Sequence, residues 1–229
     1  HIYDDNWMME FSKLMQEFPN TTIISDEIYR ELNYYDPSPR YFYQFSKSLL
    51  DRTLIVGGIS KIMASTGLRI GWCIGPKEFV SSMSKLQGHI SSGASSLVQQ
   101  ALLNYDFNQI AEFLAPIKLH LRENSKLLRE KLREFDLAHK WYQVSGAFYY
   151  LIDFTKSPLL EHFQTSKDDT KDYAAEICEH ILNTYGVAMV PGTDFGIKNA
   201  ARISLVSEKD VFSEAVVFIM EAINKPVSS

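Results

Sequence analysis

The stretch Thr21-Thr22-Ile23-Ile24-Ser25-Asp26 sets β-branched and apolar residues directly before a polar end. A second run of this kind, Thr53-Leu54-Ile55-Val56-Gly57-Gly58, leads to Ser60-Lys61, and a third covers Arg69–Gly75. Short β-branched runs with polar ends are typical of buried strands. Strands joined through crossover helices predict a mostly parallel sheet, whose ligands lie at the carboxyl ends of the strands. Asp26 and Lys61 stand at two such ends.

The rest of the chain predicts helices around this sheet and a second unit after it. Apolar spacing predicts helices over Asp5–Phe18, from Pro76 onward, over Ser95–Tyr105 and over Phe107–Phe135, with a kink at Pro116. We expect residues 1–106 to be the C-terminal part of a large α/β domain and 107–140 to be a long bridging helix. Residues 141–229 then form a small α/β domain, with strands Ala147–Phe154, Val187–Val190 and Ala201–Leu205 and helices Lys171–Tyr185 and Ser207–Ile223.

Composition excludes several classes of protein. The 229 residues are 45% hydrophobic and 22% charged, which is ordinary for a globular chain. A net charge of −5 argues against a nucleic-acid or anionic-membrane surface. Cys73 and Cys178 are too few for a disulfide framework or a zinc site. With no apolar run of membrane-spanning length and no signal peptide, we expect a cytoplasmic location.

Asp26 and Lys61 each have a plain structural interpretation. Asp26 could cap the helical turn that starts at Glu27, and Lys61 could be a solvated residue at a strand end. A lysine beside a buried strand is costly unless it is paired, chemically used or exposed to solvent. The histidines His120, His139 and His180 have no partner at metal-ligand spacing, so no metal is expected.

Four motifs, taken in their order along the chain, favour a functional interpretation of Asp26 and Lys61 over the structural one. Ser25-Asp26-Glu27-Ile28-Tyr29 is followed by Ser60-Lys61 and Thr66-Gly67-Leu68-Arg69-Ile70-Gly71, then by Ser145-Gly146-Ala147-Phe148, and finally by Val190-Pro191-Gly192-Thr193-Asp194-Phe195 with Ala201-Arg202-Ile203-Ser204. In this order and spacing the chain resembles the class I/II aminotransferases of fold type I, which depend on pyridoxal 5'-phosphate. The resemblance implies that fold, with this chain as its C-terminal portion.

The resemblance also implies catalytic roles. Lys61 matches the lysine that forms a Schiff base with the cofactor and later moves a proton, which requires an unprotonated amine. Asp26 matches the carboxylate that pairs with the pyridine nitrogen and makes the ring an electron sink. Tyr29 matches the phenol that hydrogen-bonds the cofactor's ring oxygen.

Binding roles follow in the same way. Arg69 matches the arginine that holds the cofactor phosphate, and Ser60 could add a hydroxyl donor. Arg202 matches the arginine that binds the substrate α-carboxylate, where a planar guanidinium suits a carboxylate better than an ammonium does. Phe148 and Phe195 are expected to wall the pocket.

Some family features are missing. Gly58 stands where the family commonly has a hydroxyl residue, which leaves one phosphate donor in doubt, and residues 87–100 contain no Arg or Lys, so aspartate specificity is not supported. Family members have about 150 or more residues before the point that matches His1. We therefore expect a C-terminal fragment, or the ordered part, of a longer homodimeric enzyme.

Three functions stay open. The leading one is an aminotransferase that exchanges an amino group between an amino acid and a 2-oxo acid. A lyase or synthase of the same fold would use the same Lys61 and Asp26, because fold alone does not decide the reaction. A catalytically incomplete chain that kept the fold is the third.

Overall fold

A computed structural model describes residues 2–34, 40–137, 144–164 and 171–224. The chain divides into two compact units, one of His1–Pro116 with Ser145–Ala147 and one of Ile117–Val144 with Phe148–Ser229. The first division falls inside the long helix that the sequence predicts as a bridge. The boundaries of the three predicted segments stay a prediction.

In its described residues the first unit contains three strands, four complete α-helices and the start of a fifth. Its helix α1 begins after Asp4, whose carboxylate accepts a hydrogen bond from the Trp7 backbone N–H at 2.8 Å. The elements are α1 (Asp5–Gln16), β1 (Ile23–Asp26), β2 (Thr53–Gly58), α2 (Ile59–Ile62), β3 (Gly71–Ile74), α3 (Lys77–Ile90) and α4 (Ser96–Leu103).

The three strands form one sheet in the order β1-β2-β3. Strands β1 and β2 are parallel, with Ile23 opposite Thr53 and Asp26 opposite Val56. Strand β3 runs antiparallel to β2, so only one of the two pairings follows the predicted parallel arrangement. The connection 59–70 contains only the four-residue α2 and a 3-10 turn, and therefore lacks the crossover helix that usually joins parallel neighbours.

A small apolar cluster holds α1 against this sheet. Met15, Ile23, Phe42 and Leu49 are buried, and Met8 and Phe11 pack against them. Burial of such side chains contributes about 1.5–3 kcal/mol each. This cluster fixes the start of β1, and through it the position of the strand end at Asp26.

The second unit places helices on one face of an antiparallel sheet. Its strands follow the order β4-β6-β5, and inward residues such as Tyr150, Ile152 and Ile203 are buried while their neighbours are partly exposed. This alternation is typical of a sheet covered on one side. The elements are α5 (Ile110–Glu134), which begins in the first unit, β4 (Tyr149–Asp153), α6 (Pro158–Phe163), α7 (Ala174–Tyr185), β5 (Val190–Pro191), β6 (Ala200–Ser204) and α8 (Lys209–Asn224).

Three local differences from the sequence predictions have physical causes. Helix α6 lies between the predicted strand Ala147–Phe154 and the predicted helix Lys171–Tyr185, where no element was predicted. It is started by Ser157, whose side chain accepts from the Leu160 N–H, and by Pro158 at the first turn. Strand β4 starts two residues late because Ala147 has a left-handed φ of +60°. Strand β5 lies at Val190–Pro191, at the end of the predicted run.

Two further observations concern helices. Pro116 lies inside α5 near its start without ending it. Within the described ranges of the chain, no helix combines the length and apolarity needed to cross a bilayer. His139 lies outside the described residues.

Candidate active site

Asp26 and Tyr29 lie on the carboxyl side of β1 and line one groove of about 440 Å³. The chain turns there because the Glu27 N–H donates to the Val56 carbonyl at 2.8 Å and the Ile28 N–H donates to Asp26 Oδ1 at 3.2 Å. The Asp26 side chain is exposed and Tyr29 is half-buried. A carboxylate and a phenol therefore face the same open volume.

Ser60 and Lys61 lie in α2, which follows β2 without a loop. This short helix is closed by the Met63 N–H, which donates to the Ile59 carbonyl at 2.9 Å, and Ser65 Oγ donates to the same carbonyl at 3.0 Å. Lys61 and Ser60 are half-buried. Since β1 and β2 are parallel and in register, Asp26 and Lys61 leave the sheet at the same edge, as predicted.

Arg69 occupies the residue after the 3-10 turn Thr66–Leu68 and has a left-handed φ of +51°. Its side chain is exposed, and Nη1 donates to the Thr66 carbonyl at 3.1 Å. Such a backbone conformation is uncommon outside glycine and often marks a functional position. Ser60, Lys61 and Arg69 do not line the groove of Asp26 and Tyr29.

Gly58 has a close-packed backbone. A Cβ added there would lie 3.0 Å from Ile28 Cδ1 and 3.2 Å from the Ile70 carbonyl oxygen. A larger side chain at this position would require these neighbours to shift by a few tenths of an ångström.

Arg202 lies on β6 of the second unit, between two aromatic rings. Its Cζ is 4.2 Å from the ring centroid of Tyr149 and 4.2 Å from that of Phe195. Arg202 is opposite Leu151 in the β4–β6 pairing. Side chains two residues apart in a strand share a face, so Tyr149, two residues before Leu151, lies on the same face of the sheet as Arg202. Among the described residues, none accepts a hydrogen bond from the Arg202 side chain. The guanidinium is thus held by stacking, with hydrogen-bond donors available to an anion.

The sequence reasoning missed part of the groove wall. Residues Leu32–Tyr34 run beside Ser145–Ala147, where the Ala147 N–H donates to the Leu32 carbonyl at 2.9 Å and Tyr34 Oη donates to the Ala147 carbonyl at 2.7 Å. A Cβ on Gly146 would lie 2.9 Å from the Leu32 oxygen, so only glycine fits. Gly146 and Ala147 consequently line the groove with Asp26. The Ser-Gly-Ala-Phe motif was the signal, but it does not indicate which segment of the chain it approaches.

Comparison with known proteins assigns the family. The model of the family "Aminotransferase class I and II" matches residues 3–217. A bifunctional aspartate aminotransferase and glutamate/aspartate-prephenate aminotransferase of Petunia hybrida is 30% identical over 229 residues, which is 97% of this chain and 46% of that protein. A probable aspartate/prephenate aminotransferase of Rickettsia typhi is 28% identical over 97% of this chain and 54% of that protein.

A solved structure agrees with these relatives. The aspartate aminotransferase of Thermus thermophilus with maleate superposes with a TM-score of 0.79 at 28% identity, over 96% of this chain and 53% of that one. The chain belongs to the class I and II aminotransferases, a family that uses pyridoxal phosphate. It spans about half the length of the curated relatives it matches.

Proposed function

We propose that the protein is an aminotransferase that moves an amino group between an amino acid and a 2-oxo acid, with pyridoxal 5'-phosphate on Lys61. The observation that carries the proposal is the shared edge of β1 and β2, from which Asp26 and Lys61 both leave the sheet. Family membership over residues 3–217 supports it.

The residues present suit this cofactor chemically. The residues offer an unprotonated amine for an aldehyde and a carboxylate for a protonated pyridine nitrogen. They also offer a phenol for a ring oxygen and a guanidinium for a phosphate. When bound, the cofactor supplies an aromatic ring that accepts electrons from the substrate α-carbon. Lys61 would hold it and Asp26 would face its ring nitrogen.

The remaining roles belong to side chains around these two. The Tyr29 hydroxyl would donate a hydrogen bond to the ring oxygen, while Ser60 and Arg69 would bind the phosphate. Once its amine is released, Lys61 would move a proton to and from the substrate α-carbon. Arg202 would bind the substrate carboxylate with two parallel hydrogen bonds.

Homodimerisation is part of the proposal, because two helices have no covering surface among the residues that the structure describes. No residue of α3 or α4 is buried, and Leu86, Ile90, Leu97 and Leu103 are between 60% and 79% exposed. Apolar faces of this kind mark association surfaces. We expect the charged double variant Leu97→Glu with Leu103→Glu to lower the mass measured by light scattering towards that of one chain.

A stoichiometry measurement tests the proposed reaction against the alternatives. The purified protein, loaded with pyridoxal phosphate, is mixed with an amino acid and no acceptor. An aminotransferase releases one 2-oxo acid per site and stops until an acceptor is added, because its two half-reactions alternate. A lyase or synthase continues to release product without an acceptor. No product above that of Lys61→Ala would identify a catalytically incomplete chain.

A further inference from the structure

Asp172 connects three segments of the second unit through its carboxylate. Oδ2 accepts from Thr193 Oγ1 at 2.5 Å, and Oδ1 accepts from the Ala174 N–H at 3.0 Å and from the Asn199 N–H at 2.9 Å. The partners lie in the 3-10 turn Gly192–Phe195, at the start of α7 and just before β6. One half-buried side chain thus ties the turn to the helix and to the strand.

Close backbone contacts and left-handed residues restrict the conformation of the Gly192–Phe195 turn. A Cβ on Gly192 would lie 2.5 Å from the Ile197 carbonyl oxygen, and Gly196 closes the turn with a left-handed φ of +74°. Asn199 is also left-handed, at +49°, and its side-chain oxygen accepts from the Tyr173 N–H at 2.9 Å. The hydrogen bond from Thr193 to Asp172 is the side-chain link between the turn and this framework.

The turn ends at Phe195, whose ring contacts Arg202. Phe195 itself is 47% exposed, so burial does little to hold its ring in place. Its position over the guanidinium therefore depends on the backbone of the turn. That backbone follows β5, which pairs with β6, and the Thr193–Asp172 link fastens it further to α7 and Asn199. Tyr149 needs no such link, because it is placed by the β4–β6 pairing.

We propose that Asp172 is a positioning residue for Arg202: by fastening the Gly192–Phe195 turn it keeps Phe195 against the guanidinium that binds the substrate carboxylate. The carboxylate-binding role of Arg202 rests on the proposed function, whereas the positioning by Asp172 does not. Burial raises the pKa of Asp172, but the hydrogen bonds from Thr193, Asn199 and Ala174 and the charge of Lys198 outweigh it and lower the pKa. Asp172 is therefore ionised, as an acceptor of three hydrogen bonds requires.

The clean variant is Thr193→Val, because it removes the link to the turn and leaves the bonds of Asp172 to α7 and Asn199. Thr155→Val is its matched control, since Thr155 Oγ1 donates to Asp153 at 2.6 Å in the same unit but outside the turn. Thr193→Ser retains the hydroxyl. The 229-residue chain with isotope-labelled arginine gives a side-chain signal for Arg202, identified by its loss in Arg202→Lys.

Because Arg202 Cζ lies 4.2 Å from each of two ring centroids, we expect ring currents to shift the Arg202 side-chain signals upfield. We expect Thr193→Val to move them part of the way back, and Thr155→Val and Thr193→Ser to leave them in place. Titration with maleate then measures carboxylate binding, which should weaken about two- to fivefold in Thr193→Val, as expected for one exposed cation–π contact.

The outcomes are distinct. Arg202 signals that are the same in Thr193→Val as in the unmodified chain would overturn the positioning role of Asp172. Signals that move in Thr193→Val, with no response of the unmodified chain to maleate, would support the positioning role and contradict the carboxylate-binding role of Arg202. Signals that move together with weaker maleate binding support both.

Discussion

Asp26 is the register partner of Val56 in the parallel pairing of β1 and β2. The Val56 carbonyl accepts from the Glu27 N–H, so the chain leaves β1 at the level where β2 continues to Gly58 and Lys61. This register brings the Asp26 carboxylate and the Lys61 amine to one edge of the sheet. No loop separates β2 from the helix that contains Lys61.

The first prediction concerns Asp26. Because a carboxylate opposite the cofactor's ring nitrogen sustains the electron demand of the ring, we expect Asp26→Ala to lower the transamination rate about 100-fold or more. Asp51→Asn, which removes an exposed carboxylate in the same unit, should change it little. Equal rates for the two variants would exclude Asp26 from the site.

The second prediction concerns acid stability. The pKa of Asp172 lies below its ordinary value of 3.8, so its contribution to stability is complete above that value and is lost as the pH falls towards the folded-state pKa. We expect Asp172→Asn to flatten the fall of the free energy of unfolding below about pH 4. Urea titrations at several pH values measure this, with Asp194→Asn from the same turn as control. A slope in Asp172→Asn as steep as in the control would contradict the prediction.

The third prediction concerns Arg52, which closes the carboxyl end of α1. Its guanidinium donates to the carbonyls of Phe18 and Thr21 at 2.6 Å each and also to that of Met15. Loss of a charged donor to these groups should lower the free energy of unfolding by about 2 kcal/mol in Arg52→Ala.

The matched control is Arg40→Ala, which breaks the exposed ion pair with Asp5. An exposed pair contributes less than about 1 kcal/mol. If denaturant titration finds the same loss for both variants, Arg52 does not hold the end of α1.

The fourth prediction compares two glycines. Gly192→Ala should destabilise the second unit by about 2 kcal/mol, because its Cβ would lie 2.5 Å from the Ile197 oxygen and 2.9 Å from the Ala200 oxygen, both backbone atoms. Gly88→Ala should instead stabilise by about 0.5–1 kcal/mol, since this glycine is inside α3 with open space around it. Thermal unfolding of both variants measures whether the unfolding temperature falls in Gly192→Ala and rises in Gly88→Ala. Shifts of the same sign in the two variants would refute the prediction.

The sequence predicted the strand ends of the site well. Strand β2 has the predicted bounds, Thr53–Gly58, because its apolar run is limited by polar residues before it and by the start of α2 after it. The ordered motifs also indicated the family that the comparison with known proteins confirms.

The contacts between segments distant in the chain could not be predicted from the sequence. The direction of β3 depends on how the connection 59–70 packs, and the late start of β4 depends on the backbone of Ala147. The stacking of Tyr149 on Arg202 depends on the register of β4 with β6, and the three hydrogen bonds to Asp172 join segments far apart in the chain. Local propensity carries no signal for such contacts.

The most direct test of the account is to identify the lysine that carries the cofactor. The protein is incubated with pyridoxal 5'-phosphate, reduced with borohydride, digested and mapped by mass spectrometry. Two variants are treated in parallel: Lys61→Ala, and Lys47→Ala at an exposed residue of the 3-10 helix Lys47–Arg52. We expect one labelled peptide, modified at Lys61, that is retained in Lys47→Ala and absent in Lys61→Ala. Labelling of another lysine, or equal labelling of Lys61→Ala, would contradict the central claim that Lys61 at the end of β2 is the cofactor-binding residue.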